Sequence, residues 1–468
     1  MDAITFILDE RSPDPLYLQV YRCLAQRIRS GELRDGEKLP SKRALAAHLR
    51  ISMSTVETAY DMLVTQGYVT ARARSGHYAN GIGDLIPDSP SVPVEKEPES
   101  DTPETYQYDF GAGAVDTSAF PYARWSKIAR EVLSDGGALL TRGDVRGDEC
   151  LRTAIAQYLK AFRGVNCRPD QIIVGAGMEY LMELIAGLVS GTFALENPCY
   201  PATGRILKNL GRETRPIPLD SGGMSADELE ESDASIAYIT PSHQFPMGIV
   251  MPVTRRLRLL QWAAQSENRY LIEDDYDSEF RYSGRPVPSM QGMDHADKVI
   301  YTGTFSRSIA PSIRIAYMVL PRRLLRRFME KYGTYSSTVS RFEQHTLCRF
   351  IESGSFARHV NRMRLTYRRR RDIAVEALRG MTCAPVEIYG EQAGLHLIVQ
   401  IDCPLPAESI ASACRAQSIR LVPLSTYYAG SCPANAQKRL VLNFAGMDEN
   451  AIRAGIAQLD LAVQTLLK

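Results

Sequence analysis

The sequence predicts a multidomain chain: a small α+β unit of three helices and a hairpin, a linker, and a large α/β unit that ends in a smaller α+β subdomain. Three observations predict it. Apolar residues recur at helical spacing in the N-terminal region and give way to strict alternation after Gly67. Residues 81–105 lose that periodicity and become acidic and rich in Pro and Ser. From 106 to 468 short apolar runs alternate with helical patterns, the signature of a layered sheet with helices on both faces. The expected divisions are therefore 1–80, 81–105 and 106–468.

A length of 468 residues with 44% hydrophobic positions suffices for two or three packed domains. Charge is balanced at 55 basic to 54 acidic residues, an ordinary soluble composition. No run of about 18 apolar residues occurs, and Met1-Asp-Ala-Ile-Thr-Phe6 lacks the basic start and apolar centre of an export signal, so neither a membrane nor secretion is expected. The nine cysteines are scattered without a Cys-x-x-Cys pair, which suggests no disulfide framework and no metal site, and fits a reducing cytoplasm. Cys199, in Glu196-Asn-Pro-Cys-Tyr200, reads as a small buried residue rather than a nucleophile.

In the N-terminal unit, Leu16, Val20, Leu24 and Ile28 mark a first helix that stops at Gly31. A second begins after Pro40 with Ser41 as its cap and Leu45, Ala46 and Leu49 facing inward. The third starts at Ser52 and carries Val56, Ala59, Tyr60 and Leu63. A tight turn before the third helix is helix-turn-helix organisation. Tyr68 to Tyr78 alternates like a hairpin whose tip holds Arg72, Arg74 and Gly76, a wing. Lys42 and Arg43 open the second helix, where dipole and side-chain charge both favour a phosphate. Ser52, Ser54 and Thr55 open the third, and short hydroxyls there approach phosphates or base edges. The expected partner is a double-stranded DNA operator.

The linker is poor in aromatics and carries Glu95, Glu97, Glu99, Asp101 and Glu104, a composition that does not pack. If flexible, it spans about 25–30 Å. In the large unit the strand-like runs are 172–174, 192–195, 236–240, 270–273, 299–301 and 315–320, with helical patterns at 179–188 and 256–265; the tail adds strands near 394–399 and 439–444. A long helix ending at Arg362-Met-Arg-Leu-Thr-Tyr-Arg-Arg-Arg-Arg371 joins the two, its six arginines expected on a solvated face.

Three stretches carry the chemistry of that unit. Tyr301 to Tyr317 places Ser and Thr hydroxyls and two arginines between buried strands, a composition that suits a phosphate. Leu271-Ile-Glu-Asp-Asp-Tyr-Asp277 runs an apolar strand into three successive acids, which need a cationic partner. Ile236 to Gly248 is a strand ending in a Pro-punctuated polar turn. A fourth, Ile172-Ile-Val-Gly-Ala-Gly-Met178, leads a strand straight into a helix whose N–H groups and dipole favour an anion.

These segments resemble the pyridoxal-phosphate fold-type-I aminotransferase domain, in the version fused to DNA-binding heads in the MocR/GabR-type regulators. Independently, Gly36-Glu-Lys-Leu-Pro-Ser-Lys-Arg43, Ser54-Thr-Val-Glu-Thr-Ala-Tyr60 and Gly67-Tyr68 resemble the GntR-type winged helix-turn-helix. The resemblance implies that Ala176, Gly177 and Met178 face the coenzyme phosphate, with Thr304, Ser306 and Arg314 on its other side. It implies that Tyr200 stacks on the pyridine ring, that Asp274 (or Asp275, one residue along) pairs with the ring nitrogen, and that Tyr276 bonds the 3-oxygen. Arg439 resembles the arginine that clamps a substrate carboxylate. His243 is given a hydrogen-bonded structural role in the family's His-Gln-x-Pro turn, and Arg142 stands where a partner-subunit tyrosine is typical. The family also implies a head-to-tail homodimer.

One position departs from the family pattern in a way that decides a chemical step. Where the family reads Gly-Thr-Phe-Ser-Lys and the lysine forms the Schiff base, this chain has Gly303-Thr-Phe-Ser-Arg307. A guanidinium with a pKa above ~12 is not a free amine and cannot hold the coenzyme covalently. Three occupancies are compatible with these residues: non-covalent binding of pyridoxal phosphate, pyridoxamine phosphate or a preformed coenzyme–amino acid adduct; a different anionic effector with Arg307 as an added contact; or an empty pocket in which Arg307 pairs with Asp274. The expected function is a transcriptional regulator that senses a small molecule and is not an enzyme. The competing reading is a pyridoxal-phosphate aminotransferase with an accessory DNA-binding head, which the missing amine disfavours.

Overall fold

A computed structural model of the chain describes residues 8–9, 12–81, 105–111, 113–135, 137–282, 284 and 287–468. The chain divides into two compact units, Met1–Pro103 and Glu104–Lys468. Apart from Gly81 and Thr105 at its ends, the sequence-predicted linker lies outside the described residues.

The first unit is built from α1 (Leu16–Arg29), α2 (Lys42–Leu49), α3 (Met53–Thr65) and a hairpin of β1 (Val69–Arg72) and β2 (Gly76–Ala79). Both expected caps form: Ser41 Oγ accepts from the Ala44 N–H and Ser52 Oγ from the Thr55 N–H, each at 3.1 Å, and each satisfies an N–H that the helix itself leaves unpaired. Arg50 ends α2 in the left-handed region at φ 54°, which turns the chain sharply into α3. Val20, Leu24 and Ile28 of α1 meet Val56, Ala59, Tyr60 and Leu63 of α3 in one small core, so the helical period read from sequence is the packing face. The hairpin pairs Val69 with Ala79 through Arg72 with Gly76.

The second unit runs β3 (Tyr108–Asp109), α4 (Tyr122–Ser134), α5 (Glu149–Arg163), β4 (Ile172–Gly175), α6 (Met178–Leu188), β5 (Thr192–Asn197), α7 (Pro201–Asn209), β6 (Thr214–Asp220), β7 (Gly223–Met224), α8 (Ala226–Glu231), β8 (Ala234–Ile239), α9 (Val253–Ala264), β9 (Tyr270–Asp275), β10 (Val299–Thr304), β11 (Ala316–Val319), α10 (Arg322–Tyr332), α11 (Arg341–Glu352) and α12 (Ser355–Arg379). It closes with β12 (Val386–Tyr389), β13 (His396–Ile401), α13 (Ala407–Arg415), β14 (Ile419–Arg420), β15 (Val422–Pro423), β16 (Arg439–Asn443) and α14 (Glu449–Leu467). Eight strands form one sheet in the order β4-β11-β10-β9-β8-β5-β6-β7. Strands β10, β9, β8, β5 and β6 are mutually parallel, and β11 runs antiparallel between β10 and β4.

Strands β4, β9 and β11 are buried at every position because helices cover both faces, which is why they read as continuous apolar runs. The pleat distributes them: Ile172 and Val174 pack with α5 and α11, while Ile173 packs with α6 and α10. The tail forms a second antiparallel sheet, β12-β13-β16-β15. Leu397, Val399 and Ile401 of β13 turn toward α13 and α14.

Helix α12 differs from expectation twice. It continues past Arg371 to Arg379. Its arginines only partly form the expected solvated face: Arg362, Arg368 and Arg369 are exposed, with Arg362 donating to Ala119 O at 3.2 Å and Arg369 paired with Glu449 at 2.9 Å, whereas Arg364 is half-buried and donates to Glu279 O at 2.9 Å, and Arg370 is buried, pairs with Asp116 and donates to Ala445 O, both at 2.6 Å. These contacts tie the connecting helix to segments on both sides of it, using donors that suit exposed carbonyl ends.

Candidate ligand-binding site

Five elements of the sheet end at one place. The carboxyl ends of β4, β5, β8, β9 and β10 lead into the turns that carry the sequence-predicted residues, and in open α/β sheets a ligand crevice forms outside such ends. A cavity of about 150 Å³ there is lined by Met178, Tyr200, Asp274, Tyr276, Thr304, Ser306, Arg307 and Arg314, eight of the eleven positions nominated for coenzyme or effector. Ala176 and Gly177 precede Met178 in the turn out of β4. Gly177 has φ +98°, a conformation that strains any other residue, and a Cβ on it would stand 2.1 Å from Nη2 of Arg314, so the guanidinium lies against bare backbone. The guanidinium of Arg314 thus lies against the N-terminus of α6, where it pairs with Glu179. Thr304 Oγ1 accepts from the Ser306 N–H at 3.1 Å and fixes the turn after β10.

The run of three acids is sorted by the pleat of β9. Glu273 turns away and accepts from the Met290 and Gln291 N–H groups at 2.8 and 2.9 Å. Asp274 faces the cavity, held by the Tyr238 hydroxyl and by Thr302 Oγ1 at 3.5 Å. Asp275 turns away again and meets Arg163 Nε at 2.7 Å. The one-residue ambiguity therefore falls to Asp274 as the cavity carboxyl. Burial pushes its carboxyl up to about 7, with Asp275 and Asp277 adding to the effect against the hydrogen bond from Tyr238. Arg307 does not pair with Asp274: both Asp274 contacts are to hydroxyls.

Other placements refine the reading. Tyr200 is 49% exposed at the mouth, edge-on to Phe245 at 5.9 Å. The Tyr276 hydroxyl is engaged with His243, at 2.9 Å from Nδ1 and 3.0 Å from the carbonyl oxygen. His243 is buried, its Nδ1 3.0 Å from Asp277 Oδ2, in keeping with a structural role. Arg142 donates to Ser336 Oγ at 2.7 Å and to Thr334 O at 2.9 Å. The structure does not bring Arg439 to the cavity. Its Nε donates to Gln400 at 3.0 Å and its guanidinium lies 4.7 Å from the centroid of the Tyr389 ring, because the first residue of β16 points along the small sheet. Cys199 lines the cavity, and burial pushes its thiol up to about 12, which leaves it un-ionised at neutral pH.

Sequence reasoning gave no role to Glu196 or Tyr238. Glu196 is buried, with Oε2 accepting from Thr240 Oγ1 at 2.7 Å and Oε1 without a partner among the described residues. Burial pushes it up to about 7 as well. The signal for both was positional: each ends a strand whose next residues carry a quoted motif. The carboxyls of Asp274 and Glu196 keep protons in the folded chain that the unfolded chain has released above its ordinary carboxylate range. Stability of the second unit is therefore expected to fall as pH rises from about 4 through about 7. Asp274→Asn removes one such group, and melting curves across that window should show a shallower decline; an unchanged slope would contradict the burial-raised carboxyl.

Residues 105–459 match the aminotransferase class I and II family, and residues 16–78 match the gntR family of bacterial regulatory proteins. The chain is 39% identical to the HTH-type transcriptional regulator YdeL of Bacillus subtilis (strain 168), over 98% of this chain and 99% of that one. It is 32% identical to the probable rhizopine catabolism regulatory protein MocR of Rhizobium meliloti, over 98% of this chain and 96% of the relative. The chain belongs to the MocR-type gntR regulators. Its second unit also superposes on the kynurenine aminotransferase of Pyrococcus horikoshii with a TM-score of 0.68 and 25% identity, covering 78% of this chain and 92% of that structure.

In this MocR-type chain the gntR unit places the nominated DNA residues unevenly. Ser52, Ser54 and Thr55 form a hydroxyl cluster at the start of α3, with Ser52 Oγ 2.8 Å from Ser54 Oγ and 2.7 Å from Thr55 Oγ1. Arg43 is exposed on the first turn of α2. Lys42 Nζ pairs with Glu57 at 2.8 Å and Asp61 at 3.5 Å, which ties α2 to α3. At the wing, Arg72 lies 4.5 Å from the centroid of the Tyr78 ring, Arg74 sits at the turn with φ 58°, and Gly76 has φ +121°. Arg74→Ala is expected to reduce the slope of log affinity against log salt by about 1, and to weaken all DNA sequences alike. Lys42→Ala should change that slope by less, because its charge is already answered. Equal effects would overturn the assignment.

Proposed function

We propose that this chain is a DNA-binding transcriptional regulator whose aminotransferase-like unit senses a small phosphorylated ligand of the pyridoxal phosphate class without a covalent bond. The observation that carries the reading is the convergence of the residues nominated for the coenzyme on one cavity in which an arginine stands at the lysine position. The residues present fit the coenzyme. The bare Gly177 backbone, Thr304, Ser306 and Arg314 would hold its phosphate, Asp274 its ring nitrogen and Tyr200 its ring face. When bound, pyridoxal phosphate supplies an electrophilic aldehyde on an electron-withdrawing ring. This chain's own residues bind and orient; Arg307 offers charge and hydrogen-bond donors but no amine nucleophile. The protein would act as a head-to-tail homodimer in the cytoplasm on a double-stranded operator, with the ligand biasing the arrangement of its DNA-binding heads through differential affinity.

Fluorescence anisotropy with DNA flanking the chain's own gene, with and without pyridoxal phosphate or pyridoxamine phosphate, tests this. A ligand-dependent shift in DNA affinity is expected, and an amino-donor assay should show no keto acid accumulation. Steady turnover would instead favour an aminotransferase with an accessory DNA-binding head.

A further inference from the structure

Arg307 is a cation of the cavity that pairs with no acid among the described residues. It is half-buried on the turn after β10, and among the described residues it has no hydrogen bond or ion pair. That sets it apart from the other arginines around the site: Arg314 pairs with Glu179, Arg163 with Asp275 and Arg370 with Asp116. The acids closest to hand are engaged elsewhere, Asp274 with Tyr238 and Thr302, and Asp277 with His243. A half-buried guanidinium with all its donors unused is free to supply charge and hydrogen bonds to an anionic ligand.

Its surroundings say which kind. Arg307 lines the main cavity and also a smaller adjoining one bounded by Gly113, Tyr276, Asp277, His396 and Asn443, which Arg314 does not reach. Gly113 has φ +116°, and a Cβ there would stand 3.8 Å from Nη1 and 4.0 Å from Nη2, so the fork of the guanidinium faces bare backbone rather than a side chain. A planar fork with free donors matches a carboxylate. The side chain that resemblance nominated for a carboxylate, Arg439, is occupied with Gln400 and Tyr389 and lies outside this cavity.

We infer that Arg307 is the carboxylate receptor of this site, and that its ligand is a phosphopyridine bearing a carboxylate at the carbon that carries the aldehyde in pyridoxal phosphate. The inference rests on the phosphopyridine reading proposed above. The position supports it: by resemblance the family's lysine at residue 307 bonds the aldehyde carbon borne by that ring carbon, and an arginine there meets whatever group replaces the aldehyde. Pyridoxal phosphate offers a neutral group and pyridoxamine phosphate a cation that the guanidinium repels. The carboxylate has two chemical sources. It belongs either to an amino acid whose nitrogen is bonded to the former aldehyde carbon, or to a carboxyl group attached directly to the ring carbon.

The test is calorimetric titration of the full chain with four probes: pyridoxal phosphate, pyridoxamine phosphate, N-(5′-phosphopyridoxyl)glycine and 4-pyridoxic acid 5′-phosphate. At least one carboxylate probe is expected to bind about tenfold or more tighter than pyridoxal phosphate, with pyridoxamine phosphate the weakest; which carboxylate wins identifies the source. In Arg307→Gln, and in Arg307→Met as a second uncharged variant, the ratio of carboxylate to pyridoxal phosphate affinity should fall about tenfold, with melting temperature confirming that each variant is folded. Binding of the phosphopyridines without carboxylate preference, or with a preference that both variants retain, overturns the assignment of Arg307 alone. Failure of all four probes to bind the folded chain overturns the phosphopyridine reading itself.

Discussion

Arg163→Ala is expected to lower the stability of the second unit by about 3–5 kcal/mol, the range for breaking one side of a buried ion pair. Arg163 is the last residue of α5 and is 4% exposed. Its Nε donates to Asp275 Oδ2 at 2.7 Å, and its Nη2 to Asp275 Oδ1 at 3.2 Å and to Ser242 Oγ at 2.6 Å, while Nη1 donates to the Val287 carbonyl. Removing it leaves Asp275, 6% exposed, with the Tyr301 hydroxyl as its remaining side-chain partner among the described residues, in a strand where Glu273 and Asp274 are already pushed up to about 7 by burial. The penalty is that of a buried charge that has lost its cationic partner. Differential scanning calorimetry should show the second unit's transition moved down, with the first unit's unaffected, since its core is separate. The double variant Arg163→Ala with Asp275→Asn should recover part of the loss. A drop of under about 1 kcal/mol in the single variant would mean that the pair is structurally incidental. Because Asp275 adjoins Asp274, the single variant should also weaken phosphopyridine binding.

What could be read before the fold was known follows from how local each feature is. Caps, helical periods and the wing depend on residues a few positions apart, and Ser41, Ser52 and the Val69–Ala79 hairpin stand as their spacing predicts. The turns at the ends of β4, β9 and β10 are equally local, because a strand that must end in polar residues at a crevice shows that switch in its own sequence. Ion-pair partners are not local. The arginines of α12 look like a charged surface run, and only the fold supplies Asp116, Ala119, Glu279, Ala445 and Glu449 as their acceptors. Lys42 is the same case at short range: Glu57 and Asp61 lie one turn apart on α3, and nothing in their spacing from Lys42 says that α2 crosses them there. Arg439 marks the limit from the other side. Its strand is where the alternation places it, yet the direction of its side chain is set by Gln400 across the sheet. Glu196 escaped because a strand-terminal acid carries no mark of burial until helices close over it.

Arg307→Lys should convert a site with no covalent chemistry into one that captures pyridoxal phosphate. The turn from Thr304 to Arg314 is shaped by backbone and by the Thr304–Ser306 hydrogen bond, not by the residue at 307, so the substitution leaves its support intact. Arg307 has no partner among the described residues whose loss would strand a buried acceptor, and a lysine fills a shorter volume in the same half-buried cavity. Partial burial beside a second cation, Arg314, disfavours the charged ammonium and raises the fraction of free amine at neutral pH. After incubation with pyridoxal phosphate and borohydride reduction, the peptide that carries the substitution should gain the mass of the reduced coenzyme in near-stoichiometric yield, and the same peptide of the native chain should remain unlabelled. The variant's absorbance should acquire a band near ~420 nm that the native chain lacks. An unlabelled variant that still binds the coenzyme would mean that the amine and the aldehyde do not meet, and that the ligand lies in the cavity in an orientation other than the one the family implies. In that event the carboxylate reading of Arg307 fails with it, because both depend on residue 307 facing the same ring substituent.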